Sequence, residues 1–322
     1  MIVHFILHGE TLESIAEEIK LENPKYLIEY HNQKCAREDY INDRLIPGKK
    51  LLIPDSNTVR EYNSRNDAPF KSPALNPEIP FKPEKLDKRY TLGIIENEQN
   101  EERTSESSVF CTVALKWIGY ENGEHVFHFS KLDFYNRNDS IVGDLAEECI
   151  KSLNPVEIRT NNDGEVISVH TDKKILDDFG AVKEKLMDLY PGEYSRIYIE
   201  EFEYAVLNQG LFSKRMKQDL FIKIYFAPLR NKFINGKSHY RLSFTDDNIL
   251  MNIAQEAEQP EVPGETILIQ HYKPSGEEKD MGLNGKYILE KETGLIKKAD
   301  IEYHMSRYSV KSTTKLLIEE LD

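Results

Sequence analysis

The apolar residues of the first 54 positions change their spacing twice along the chain. "IVHFIL" predicts a short strand, and Gly9 permits a tight turn after it. The next apolar residues recur every three or four positions, as on one face of a helix, and Thr11 precedes them as a capping residue. A second helix is predicted from Pro24, and "LLIP" predicts a closing strand. The first 54 residues therefore predict the order strand, helix, helix, strand.

From residue 89 the pattern is mainly that of strands, with helices in the middle. "VFCTVALKW" and "HVFHFSKLDF" predict two long strands around Asn122-Gly123, which is a hairpin signal. Helical spacing follows at 141–153, 173–190 and about 195–226, and "HYRLSF", "TILIQHYK", "KYILEKE" and "IKKADIEYHMSRYSV" predict further strands. Hairpin-length turns favour an antiparallel sheet with helices on one side. The predicted fold class is α+β, with a small βααβ module before a larger antiparallel-sheet domain.

Residues 55–88 separate these two patterns. The segment is rich in proline and asparagine and has few paired apolar positions, which is typical of a semi-extended linker. An alternative is that Phe70 and Phe81 fix it against a neighbouring domain. The predicted organisation is a module at 1–54, a proline-punctuated linker at 55–88 and an acidic domain at 89–322.

The net charge and the cysteine content limit which class of partner and which cellular compartment we expect. The net charge is −14, which makes nucleic acid an unfavourable partner because both would be negative. Three cysteines without a Cys-x-x-Cys pair predict neither a disulfide framework nor a zinc site. The chain has no apolar run long enough to span a membrane and no recognisable signal peptide. We expect a cytoplasmic protein, unless a specialised secretion machine exports it.

Several spaced motifs of the first 54 residues resemble the LysM family. Its pattern joins a Gly-Asp-Thr-Leu turn, an Ile-Ala helix, a helix ending in Asn and an Ile-Pro-Gly…Leu-x-Ile-Pro finish. The matching residues of this chain are Gly9, Glu10, Thr11, Leu12, Ile15, Ala16, Asn32, Ile46, Pro47, Gly48, Leu51, Ile53 and Pro54. The chain departs from the pattern by Glu10 in place of Asp and by a longer loop, "NQKCAREDYINDRLIPG".

The resemblance implies a shallow groove that holds N-acetylglucosamine-containing glycan, such as peptidoglycan or chitin. One wall follows the first strand and the other precedes the last strand. LysM modules also occur in contractile secretion or phage-tail-like assemblies, where the module docks on a protein, so both kinds of partner remain open. The implied glycan- or partner-binding residues are Gly9, Glu10, Thr11, Leu12, Asn32, Leu45, Ile46, Pro47 and Gly48.

No pattern of catalytic residues stands out, and no cofactor or metal is expected. His125 and His128 are three apart on a predicted strand, so they point to opposite faces and do not chelate one ion together. Adjacent acidic pairs such as Glu147 and Glu148 diverge by about 100° on a helix. Trp117 lies in a predicted strand and is expected in the core. The chain is therefore expected not to be an enzyme.

Three functions follow from these patterns. The first is a non-catalytic binding or adaptor protein of bacteria that docks through its LysM-like module. The second is a cell-wall-directed effector or hydrolase delivered by a secretion machine. The third is a carrier of a small ligand such as a lipid, because a curved sheet covered by helices can enclose an apolar cavity. The aromatic residues that would suit the third function are Phe127, Phe129, Phe134, Tyr198, Phe202, Tyr204, Phe212, Phe221, Tyr225 and Phe226.

Overall fold

The computed structural model describes residues 2–42, 44–100, 103–135, 140–244, 250–258, 260, 262–274, 281–307 and 310–321. The chain divides into two compact units. The first unit comprises Met1–Asn76 with Ile234–Gly236, and the second comprises Pro77–Phe233 with Lys237–Asp322. The first unit therefore extends beyond the boundary at residue 54 that the sequence pattern indicates.

In its described residues the first unit has a two-stranded antiparallel sheet, three α-helices and two short 3-10 helices, Arg37–Asp39 and Pro69–Lys71. The sheet pairs β1 with β2, and Ile2 lies opposite Ile53. Thr11 is the N-cap of the first helix, as its position in the sequence predicts, and Pro24 is the N-cap of the second. The elements are β1 (Ile2–Phe5), α1 (Leu12–Glu18), α2 (Lys25–Lys34), β2 (Lys50–Ile53) and α3 (Ser56–Ser64).

The third helix occupies a segment whose composition suggested a linker. Asp55 caps α3 by accepting hydrogen bonds from the backbone N–H groups of Asn57 and Thr58, each at 3.0 Å. Val59 and Tyr62 are one turn apart and are both buried in the core of the first unit. The Tyr62 ring stacks on that of Tyr26 at 4.5 Å between centroids. The expected linker at 55–88 therefore begins with a packed helix.

A single antiparallel sheet dominates the second unit. Among the described residues it contains eleven strands in the order β7-β6-β5-β4-β3-β13-β12-β11-β10-β9-β8. The first and last strands, β3 and β13, are neighbours at its centre. The strands are β3 (Asp87–Gln99), β4 (Thr104–Glu121), β5 (Glu124–Tyr135), β6 (Val156–Thr160), β7 (Val166–Thr171), β8 (Lys237–Ser243), β9 (Leu250–Glu258), β10 (Glu265–Tyr272), β11 (Met281–Glu290), β12 (Ile296–Arg307) and β13 (Val310–Leu321).

The helices of the second unit fall into two insertions between strands. Among the residues that the structure describes, one α-helix lies between β5 and β6, and five connect β7 to β8, the two edge strands of the sheet. These helices are α4 (Ile141–Ser152), α5 (Lys173–Asp177), α6 (Phe179–Leu189), α7 (Glu193–Leu207), α8 (Gln209–Met216) and α9 (Leu220–Tyr225). The large antiparallel sheet with helices agrees with the mixed architecture that the pattern predicts.

The core of the second unit lies between α9 and one face of the sheet. Phe221 and Tyr225 of α9 are fully buried, and Tyr90 of β3 packs on both rings. Phe81, which the sequence left as a possible anchor, packs against Phe127 at 6.1 Å between centroids. Phe70, the other possible anchor, is 49% exposed. Residues around Phe81 are thus part of the second unit.

Candidate functional site

The turn after β1 is held by its own side chains. The Glu10 carboxylate accepts a hydrogen bond from the backbone N–H of Leu7 at 2.7 Å and lies 2.8 Å from Nε2 of His4. These contacts, the backbone bond first, lower the pKa of Glu10. Gly9 has a φ of +89°, which only glycine adopts without strain. Glu10 therefore fixes the turn.

Two more of the predicted site residues stabilise the first helix. Thr11 Oγ1 accepts from Ser14 N at 3.1 Å, and Ser14 Oγ accepts from Thr11 N at 3.0 Å, which is a capping box. Leu12 is partly buried and packs against the core of the first unit. Both residues complete the helix start, and neither lines the groove described below.

Asn32 positions the loop between α2 and β2. Its Nδ2 donates to the carbonyl of Ile41 at 2.8 Å, and its Oδ1 accepts from the N–H of Ile41 at 2.9 Å. Leu45 packs against the core, whereas Pro47 and Gly48 form the exposed turn before β2. Gly48 donates to the carbonyl of Ile6 at 2.8 Å. Asn32 therefore acts on the groove indirectly, by holding the loop.

This loop and the end of β1 form an open groove of about 340 Å³. Tyr40 and Ile46 are 47% and 52% exposed beside it, so an apolar ring face and an aliphatic chain meet solvent there. Of the predicted site residues, Ile46 alone belongs to the lining. The sequence did not single out Tyr40, although an aromatic residue in a long polar loop is a usable signal. The lining residues are Ile6, Tyr40, Ile41, Asn42, Arg44, Ile46 and Lys49.

A second open groove, of about 640 Å³, lies on the second unit. It follows one face of β10, β11 and β12, where partly buried Ile269 and Ile288 form an apolar floor. Lys286 is exposed above this floor and lies opposite Asp300 in the strand register. His271 Nδ1 lies 3.0 Å from Oδ1 of Asn284 at one end. The groove can therefore contact an apolar chain and a polar group together.

Four buried polar side chains of the second unit, Ser238, Tyr240, Gln255 and Gln270, form one hydrogen-bond network. Gln255 donates to Leu229 O at 2.9 Å and to Ser238 Oγ at 3.0 Å. Gln270 donates to Gln255 Oε1 at 3.0 Å and accepts from the Tyr240 hydroxyl at 2.9 Å. These bonds give the side-chain amides of Gln255 and Gln270 partners within the core.

Two of the three cysteines, Cys111 and Cys149, and one histidine, His125, are buried in the second unit. Burial raises the pKa of the Cys111 thiol to about 11 and that of Cys149 to about 12, so both are protonated at neutral pH. His125 accepts a hydrogen bond from Trp117 Nε1 at 3.2 Å. Within the described residues, no three His, Cys, Asp or Glu side chains are grouped so that they could hold a metal ion.

In the described part of the chain, no helix combines the length and the apolar character that crossing a bilayer requires.

Comparisons with known proteins do not assign the chain to a family. No family model matches it. No curated protein matches its sequence. A solved structure concerned with lipid–protein interactions in lipovitellin covers 75% of this chain at 10% identity and a TM-score of 0.45, and this chain spans 25% of the lipovitellin chain.

Two smaller proteins are similar over a comparable part of the chain. The ywiB protein from Bacillus subtilis covers 73% of this chain and is covered over 94% of its own length, at 7% identity and a TM-score of 0.12. A DUF1329 family protein from Desulfovibrio piger covers 73% and is covered over 85%, at 9% identity and a TM-score of 0.20. All three TM-scores are below 0.5, so these similarities support no functional assignment.

Proposed function

We propose that this chain is a non-catalytic binding protein that docks through the groove of its first unit on N-acetylglucosamine-containing glycan. The exposed pair Tyr40 and Ile46 beside an open groove carries the proposal. An aromatic face contacts the apolar face of a sugar ring, and the adjacent polar side chains suit an N-acetyl group. Asn42, Arg44 and Lys49 supply donors for the acetyl carbonyl.

The resemblance of residues 1–54 to LysM modules supports the same partner class. The strand, helix, helix, strand order of β1, α1, α2 and β2 is compatible with that family. A protein of a contractile secretion or phage-tail-like assembly is the competing partner, and the bacterial, cytoplasmic setting of such an adaptor rests on analogy with LysM proteins.

Retention on insoluble peptidoglycan tests the proposal directly. We expect the purified chain to co-sediment with peptidoglycan without degrading it, and Tyr40→Ala and Ile46→Ala each to weaken retention by about tenfold, a loss of roughly 1.4 kcal/mol. Tyr194→Ala is the matched control, because Tyr194 is 88% exposed on α7 of the second unit. Equal retention of all three variants would exclude this groove. Release of soluble muropeptides would contradict a non-catalytic role and favour the hydrolase.

We retain a small-ligand carrier as the second candidate because of the groove over β10–β12. Its floor of Ile269 and Ile288 suits an acyl chain, and the exposed ammonium of Lys286 suits a carboxylate at the chain's end. Native mass spectrometry of the chain mixed with a saturated fatty acid should then show one bound ligand, and Ile288→Asp should remove it. Ile150→Asp is the control, since Ile150 is 36% exposed on α4. Equal binding to Ile288→Asp and wild type would exclude this groove.

A further inference from the structure

The strand β1 has one free edge. Ile6 donates to Lys49 O at 3.0 Å and accepts from Gly48 N at 2.8 Å, so its backbone faces β2. In an antiparallel pair, alternate residues face the same partner. His4 and Ile2 therefore face β2 as well, whereas Val3 and Phe5 direct their backbone N–H and C=O groups to the opposite side. Within the described residues, β1 has β2 as its only strand partner.

The free edge of β1 also carries exposed apolar side chains. Val3, Phe5 and Leu7 alternate onto one side of the strand and are 46%, 56% and 62% exposed. Ile6, on the other side, is buried in the core. Edge strands are usually protected by charges, prolines, bulges or a covering element. The strand residues, Ile2–Phe5, include no Lys, Arg, Asp, Glu or Pro.

At the other edge of this small sheet, a side chain protects an outward backbone amide of β2. The backbone N–H of Leu52, on the outer side of β2, donates to Nδ1 of His31 at 3.0 Å. His31 is itself fixed by a contact of its Nε2 with the carbonyl of Asp39 at 2.9 Å. The fold thus covers one outward amide of β2, that of Leu52, with a buried side chain, whereas no described residue bonds the outward amides of Val3 and Phe5.

We propose that β1 pairs with β1 of a second copy of this chain, forming a continuous four-stranded antiparallel sheet. In an antiparallel pairing centred on His4, Val3 of one copy lies opposite Phe5 of the other. Each of the two Val3–Phe5 pairs then forms two backbone hydrogen bonds. The apolar side chains of the two strands then cover one another. Such a contact is two-fold symmetric and self-complementary, which is the commonest way soluble chains form dimers.

The charge distribution favours this surface for contact between identical chains. The whole chain has a net charge of −14. Residues 1–76 contain 12 acidic and 10 basic side chains, a net charge of −2, so residues 77–322 account for the remaining −12. Two copies therefore repel least where their first units meet. The inference is independent of the proposed groove function, because Val3 and Phe5 do not line that groove.

Analytical ultracentrifugation of the full chain with a C-terminal tag tests the proposal over roughly 1 to 200 µM. We expect a monomer–dimer equilibrium, and amide exchange at Val3 and Phe5 that slows as concentration rises. Phe5→Pro removes an outward N–H without removing a bond to β2, and Val3→Lys places a charge on the edge. Each should raise the dissociation constant of the dimer by at least about tenfold, which is roughly 1.4 kcal/mol.

Phe70→Lys is the matched control, since it places a charge on an exposed apolar residue of the same unit that belongs neither to β1 nor to the groove. Far-UV circular dichroism and unchanged amide protection in α1 and α2 establish that each variant is folded. A monomer at all concentrations would overturn the proposal. A dimer equally sensitive to Phe70→Lys, or insensitive to both edge variants, would also overturn it. Glycan retention is measured separately, so failure of the groove function leaves this result interpretable.

Discussion

At the residue scale, one carboxylate ties the segment after α3 to the start of α2. Asp67 accepts hydrogen bonds from Lys25 Nζ at 2.8 Å and from the Tyr26 hydroxyl at 2.5 Å. Nδ2 of Asn23 donates to the backbone carbonyl of Asp67 at 3.0 Å. The bond from Lys25, with that from Tyr26, lowers the pKa of Asp67 to about 2, from 3.8. Asp67, which lies in the segment expected to be a linker, therefore holds that segment against the start of α2.

The pKa of Asp67 predicts the pH dependence of the first unit. Because the folded value is below the unfolded one, the stabilisation is present above about pH 3.8 and is lost as the pH falls toward 2. Asp67→Asn should therefore raise amide exchange in α2 at pH 7, and the difference from wild type should shrink as the pH falls and vanish below about pH 2. Hydrogen-exchange mass spectrometry checks both statements. A difference that persists unchanged at low pH would show that the charge is not responsible.

Arg230 joins three turns of the second unit through their backbone. Its guanidinium donates to the carbonyls of Pro80 at 3.1 Å, Asp163 at 3.2 Å and Gly294 at 3.0 Å. It also lies 4.4 Å from the centroid of the Phe81 ring. Burial lowers its pKa to about 10, so it remains charged at neutral pH. Arg230 thereby secures the proline-containing segment around Pro80 to the sheet unit.

Arg230→Leu should destabilise the second unit by about 2–4 kcal/mol, because three carbonyls lose their donor. Urea unfolding followed by the fluorescence of Trp117, the single tryptophan of the chain, measures this change. Arg241→Leu is the matched control, since Arg241 is exposed and, among the described residues, bonds the side chain of Asn252 alone, at 3.1 Å. Its effect should stay within about 0.5 kcal/mol. Similar losses for both variants would contradict the role of the three carbonyls.

At the element scale, local spacing predicted the types of most helices and strands. The hairpin at Asn122-Gly123 is a clear success, since both residues have positive φ, +53° and +86°, as a type I′ turn requires. The strand β9 was not singled out, because fully buried Gln255 interrupts its apolar alternation. The helix α3 was missed because its buried positions, Val59 and Tyr62, stand among asparagines and charges.

The candidate site was less predictable than the elements. The family resemblance pointed to turn residues such as Glu10 and Thr11, whose side chains are used within the fold. Tyr40 faces solvent beside the groove because Asn32 bonds both backbone groups of Ile41 next to it. That contact depends on the conformation of a loop, which apolar spacing does not encode. Of the residues that the resemblance pointed to, Ile46 alone lines the groove.

Side chains protect the outward backbone amides of the edge strand β7, and this protection can be tested. Its outward amides donate to α8: Val169 N to Ser213 Oγ at 3.0 Å and Thr171 N to Gln209 Oε1 at 3.3 Å. Ser213→Ala combined with Gln209→Ala should accelerate exchange of both amides by roughly tenfold or more. Ser168→Ala is the control, because the Ser168 hydroxyl bonds His170 at 2.8 Å. Nuclear magnetic resonance measures the exchange, and unchanged rates in the double variant would contradict this protection.

At the scale of the whole molecule, the order of strands makes β13 central to the sheet unit. It pairs with β3 on one side and β12 on the other, and so joins the strands β7–β3 to the strands β12–β8. Leu316 is fully buried at this junction, opposite Ile94 and Ile301. β3 and β13 lie at opposite ends of the sequence of the second unit. Their pairing is therefore non-local, and no short-range pattern specifies it.

A charge at Leu316 should therefore unfold the sheet as a whole. Leu316→Asp replaces a buried aliphatic side chain by a carboxylate without a partner, which costs more than about 3 kcal/mol. Lys311→Asp adds an acidic group on an exposed position of the same strand and should cost much less. Trp117 on β4 reports the outcome, because it lies two strands from β13. If Leu316→Asp leaves the unfolding midpoint at Trp117 unchanged, β13 is a local addition to the sheet rather than its central strand.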